Sequence, residues 1–68
     1  MTALSIVVPC FNEQECLAEL HSRLSAAARA SAGEDYELVL INDGSKDATW
    51  PMMRGLAERD RHVLAINL

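Results

Sequence analysis

Leu4-Ser5-Ile6-Val7-Val8-Pro9-Cys10-Phe11-Asn12-Glu13 decides the fold, together with Tyr36-Glu37-Leu38-Val39-Leu40-Ile41-Asn42-Asp43-Gly44-Ser45. Each stretch opens with a nearly unbroken apolar, β-branched run and closes on polar or turn-forming residues. Continuous rather than alternating hydrophobicity marks a strand covered on both faces, as in parallel sheets. Pro9 cannot donate to a ladder and belongs at a strand end. Asn42-Asp43-Gly44-Ser45 is dense turn chemistry.

Between these runs the apolar positions Leu17, Leu20, Leu24, Ala27 and Ala28 recur at helical spacing. The spacing predicts a helix over 13–31, capped by Asn12 with Glu15 three residues on and stopped by Gly33. A second helix is expected over 48–60. Asp47 or Thr49 would cap it, Pro51 would sit in its first turn, and Trp50 would anchor it to the sheet. Val63–Leu68 reads as a third strand. The order is β-α-β-α-β. Parallel crossovers are right-handed in about 98% of cases, so the strands should lie in the order 3-2-1 with both helices on one face. The other face, also apolar, would then have no cover.

The chain has 68 residues, half of them apolar, and a net charge of −4. A chain of this size buries only about 60% of its unfolded surface. Its six basic residues form no cluster, which argues against nucleic acid. Apolar runs fall far short of the ~20 residues of a membrane span. Met1 is followed by no basic and apolar leader pattern, which reads as a cytoplasmic chain. Cys10 and Cys16 match no zinc spacing and read as reduced, inert thiols. His21 and His62 read as isolated and solvated.

In open α/β sheets ligands bind beyond the carboxyl ends of the strands, where both distinctive segments fall. Phe11 offers a flat face to a nucleobase. Glu13 and Asp43, as ionised carboxylates, accept hydrogen bonds from base N–H groups or ribose hydroxyls and are unsuited to direct phosphate contact. The sequence has neither a Gly-x-Gly-x-x-Gly nor a Gly-x-x-x-x-Gly-Lys-Ser/Thr motif. Phosphates would need another holder, such as a metal on other residues.

Pro9-Cys10-Phe11-Asn12-Glu13, paired with Asp43-Gly44-Ser45-Lys46-Asp47-Ala48-Thr49 about thirty residues on, resembles the amino terminus of a family 2 glycosyltransferase of the Rossmann-like GT-A fold. The closest likeness is to the branch that moves sugars from nucleotide donors to polyprenyl phosphates, that of dolichol-phosphate mannose synthase and the bactoprenol glucosyltransferases. The resemblance covers essentially the whole chain. It implies that Pro9, Phe11 and Glu13 line a nucleotide pocket, and that Ile41 and Asp43 contact base and ribose. It implies a UDP- or GDP-linked sugar donor and a Mg²⁺ or Mn²⁺ ion. Phe11 stands where tyrosine is frequent, and Asn42 where a second aspartate is common. The family's Asp-x-Asp metal motif, catalytic base and membrane-associated carboxyl-terminal segments have no match in these residues. Residues 1–68 are therefore expected to be the amino-terminal part of such a domain, inactive in sugar transfer by themselves. Two other readings stand beside this one. One is a non-catalytic remnant or half-domain that self-associates through the bare sheet face. The other is a receiver-like domain, which would want an acidic pair where Phe11-Asn12 stands.

Overall fold

The computed structural model describes residues 3–68; the leader reading at Met1 lies outside them. Three parallel strands and two helices alternate: β1 (Leu4–Cys10), α1 (Leu17–Ala32), β2 (Tyr36–Asn42), α2 (Thr49–Arg59) and β3 (Val63–Asn67). The sheet order is β1-β2-β3, which is the expected 3-2-1 read from the other edge. The chain is thus α/β, a β-α-β-α-β unit on a parallel sheet, as the expected partial Rossmann-like fold requires.

The period-2 rule divides the strand residues between two faces. Leu38, Leu40, Cys10 and Val63 are buried, and Leu17, Ala28, Met53 and Leu56 of the helices complete that core. Ile6, Val8, Leu20, Leu24 and Trp50 pack around it, so Trp50 anchors α2 as expected. Both helices lie on this face. The opposite face carries the register partners Val7, Val39 and Leu64, then Pro9, Ile41 and Ile66. Val7 is 59% and Leu64 51% exposed. An apolar face in water contributes none of the burial that stabilises its partner face.

Two sequence expectations need correction. The first helix begins at Leu17, not near 13, and Asn12 does not cap it. Cys16 occupies the cap position and makes no side-chain capping bond. Residues 11–16 are instead drawn across to the loop after β2, so the helix starts a turn late; a tight bond from Cys16 N–H to Glu13 O (3.0 Å) closes the intervening turn. Gly33 does end the helix, at φ 60°, with its N–H on Arg29 O. The cysteines are free, Cys10 buried and Cys16 exposed.

Neither histidine is isolated. His62 is buried, stacks on Tyr36 with centroids 3.8 Å apart, and has Nδ1 2.9 Å from the Tyr36 carbonyl oxygen. A carbonyl only accepts, so Nδ1 carries a proton there. Glu34 Oε2 lies 3.3 Å from His62 Nε2. Tyr36 opens β2 and His62 precedes β3, so the strand register brings them together at the sheet's amino-terminal edge. His21 Nε2 contacts Asp60 Oδ2 at 2.7 Å, tying α1 to the end of α2.

Burial would raise the Asp60 carboxyl. The hydrogen bonds from His21 and from the His62 backbone N–H outweigh it and hold the group below the usual carboxylate range. A carboxyl depressed by folding stabilises the fold above its unfolded value of about 3.9, and that contribution is lost as the pH falls through the folded value. Asp60→Asn should therefore cost about 1 kcal/mol near pH 7 and flatten the acid limb below pH ~4, as read by urea midpoints across pH.

Candidate functional site

Parallel pairing ends β1 and β2 level with each other. Pro9 pairs with Ile41 and Cys10 with Asn42, so the segments after them leave the sheet side by side. Pro9 and Ile41 lie on the uncovered face. Asp43 N–H donates to Cys10 O at 3.2 Å, which extends the pairing one step past the strands.

Side chains then stitch the two segments together. Asn12 N–H donates to Ser45 Oγ (2.9 Å), and Lys46 N–H donates to Asn12 Oδ1 (3.0 Å). Glu13 N–H donates to Thr49 Oγ1 (2.7 Å), and Ala48 N–H to Gln14 Oε1 (2.8 Å). Asn12 adopts φ 51°, a left-handed conformation in which asparagine is several-fold enriched. Gly44, at φ 79°, supplies the positive φ of the turn after Asp43. Asn42 is buried. Its Oδ1 accepts Ser45 N–H (3.3 Å) and its Nδ2 donates to Asn67 Oδ1 (2.8 Å), tying this turn to β3.

The five residues singled out from the sequence gather at this edge. Phe11 is 57% exposed, unusual for a large apolar side chain with a core nearby. Pro9 and Asp43 are exposed, and Glu13 and Ile41 half-buried. Burial pushes the Cys10 thiol up, and the nearby Glu13 carboxylate adds to it. An exposed flat ring in the loop after β1, with one carboxylate on that loop and another on the turn after β2, can stack a planar base and accept hydroxyl hydrogen bonds. Among the described residues no group of three His, Cys, Asp or Glu side chains converges to hold a metal ion. No described helix is long and apolar enough to cross a membrane.

Two residues reach further than the sequence suggests, Thr49 and Asn67. Asp47 and Thr49 were expected to cap α2 only. Asp47 Oδ1 does accept Thr49 N–H (2.9 Å), one position ahead of the cap residue Ala48, but Thr49 also reaches Glu13. Asn67 was not expected to bind Asn42. The available signal was positional: polar residues following adjacent parallel strands face one another.

Residues 5–68 match the family model described as glycosyl transferase family 2. Over 66 residues the chain is 50% identical to an undecaprenyl-phosphate 4-deoxy-4-formamido-L-arabinose transferase of Shewanella sediminis and 42% identical to the protein of that name in Enterobacter sp. (strain 638). Each alignment covers 96% of this chain and 20% of the relative. The chain thus spans about a fifth of the length of the curated relatives it matches.

The stitching makes Asn12 sensitive to both side chain and backbone. Asn12→Gly removes one bonded acceptor and keeps the positive φ, a loss of about 1 kcal/mol. Asn12→Val adds β-branching at that φ and should lower the urea midpoint further.

Proposed function

This chain belongs to glycosyl transferase family 2, and we propose that it forms the base-and-ribose wall of a nucleotide-sugar donor site. The full protein, in this reading, transfers a sugar from a UDP- or GDP-linked donor to an acceptor, with polyprenyl phosphate the favoured class. An acceptor oxygen attacks the anomeric carbon, and the nucleoside diphosphate leaves with the electron pair of the broken glycosidic bond. Residues 1–68 are the amino-terminal part of that domain.

One observation carries the proposal. The exposed Phe11 ring stands at the same sheet edge as the Glu13 and Asp43 carboxylates, on two loops locked to each other. Phe11 stacks the base, Pro9 and Ile41 form the apolar floor, and Glu13 and Asp43 accept from base N–H and ribose hydroxyls. The side-chain chemistry around them does not fit phosphate. The Mg²⁺ or Mn²⁺ implied for the family finds no converging ligand set among the described residues. The proposal therefore assigns the diphosphate and its metal to protein outside this chain. Acceptor choice rests on likeness to relatives named for undecaprenyl phosphate, and a site on the cytoplasmic side of a membrane is part of the same proposal.

The bare sheet face favours a second reading, in which two copies pair through Val7, Val39 and Leu64. Sedimentation equilibrium decides it: Val7→Lys should convert a dimer to a monomer, and a wild-type monomer at high concentration rules pairing out.

Titration of the chain with uridine and guanosine diphosphates, followed by NMR, tests the donor site. Shifts should centre on residues 9–13 and 41–43, and Phe11→Ala should weaken binding about tenfold or more. Response to neither nucleotide would refute the assignment.

A further inference from the structure

Thr49 is fully buried, and its hydroxyl is a polar group that burial obliges to find partners. Its oxygen accepts the Glu13 backbone N–H at 2.7 Å, across 36 residues of chain. Its hydroxyl hydrogen goes to Asp47 Oδ1, and that same carboxylate oxygen accepts the Thr49 N–H. Donor and acceptor capacity of the hydroxyl are thus both used, and its rotor is fixed. The Thr49 hydrogen bond, above the smaller opposing effect of burial, holds the Asp47 carboxyl below the usual carboxylate range, so the acceptor stays ionised at neutral pH.

We propose that Thr49, oriented by Asp47, is a positioning residue for the donor site: it pins the Glu13 backbone to the loop after β2, setting where the Glu13 carboxylate stands relative to Asp43. This rests on the donor-site reading above and deepens it. Asp47 and Thr49 touch no ligand in this arrangement. They lie at the amino end of α2. The neighbouring Asn12 bonds to Ser45 and Lys46 hold the tip of the same loop. They leave the Glu13 amide to Thr49 alone. A hydroxyl is required, and β-branching is not, so serine should serve and valine should not.

The test uses the ¹⁵N-labelled 68-residue chain, with Thr49→Val and Thr49→Ser compared with wild type. Thr49→Val keeps the volume and removes the hydroxyl, leaving the Glu13 N–H unpaired. Amide exchange at Glu13 should speed up about tenfold in Thr49→Val and return to the wild-type rate in Thr49→Ser. Uridine or guanosine diphosphate, whichever binds wild type, should bind Thr49→Val about tenfold more weakly and Thr49→Ser within about twofold of wild type. If Thr49→Val does not fold by circular dichroism, Asp47→Ala frees the same hydroxyl rotor and should give the same pattern at smaller amplitude. Unchanged Glu13 exchange in the hydroxyl-free variant overturns the latch, and faster exchange with unchanged affinity overturns its role in positioning. Failure of wild type to bind either nucleotide is a different result. It sinks the donor-site reading, while the exchange measurement still decides the latch.

Discussion

Everything at the carboxyl edge depends on the level ending of two parallel strands. Because Cys10 pairs with Asn42, the chain leaves both strands at the same height and a strand's width apart. That spacing is short enough for side chains of one loop to satisfy backbone groups of the other. Asn12, Gln14, Ser45 and Thr49 do so. A register slip of one residue would turn the apolar sets to opposite faces and separate every one of these pairs. The core under α1 and α2 fixes the register, and the register fixes the site.

The electrostatics of that edge are one-sided. Glu13, Glu15, Asp43 and Asp47 cluster there, and Lys46 is the one basic residue in the two loops. Such a surface is hospitable to hydroxyl and N–H donors and repels anions. A diphosphate brought to it needs positive charge from another source.

Much of this was legible in the residues. Unbroken apolar runs gave the parallel strands, and helical spacing gave both helices within a few residues. Crossover handedness gave the strand order and the single helical layer. The start of α1 was not legible, because Asn12 looks like a cap locally and is claimed by Ser45 and Lys46, more than thirty residues away. The histidines failed for the same reason. Nothing near His62 in sequence announces Tyr36, and only the β2–β3 register places them in contact. Local rules describe these residues well until a distant backbone group offers a better partner. Of the five residues that the motif resemblance singles out, Phe11, Glu13 and Asp43 follow the strands, and Pro9 and Ile41 are paired inside β1 and β2 one residue from their ends.

The lopsided cover of the sheet has a colloidal consequence. One side of the molecule carries Val7, Val39, Leu64, Ile41 and Ile66, with the hydrogen-bonded Ser5–Glu37 pair at one end, and the other is a helical surface carrying Glu19, Arg23, Glu58 and Arg59. A body built this way is a facial amphiphile about 34 Å long. It gains free energy by lying flat at an air–water or oil–water boundary with the sheet turned away from the solvent. Excluded salts such as sulfate strengthen the same tendency. Among the described residues that tendency comes from a single side of a three-stranded sheet, with the carboxyl edge of the strands left at the rim.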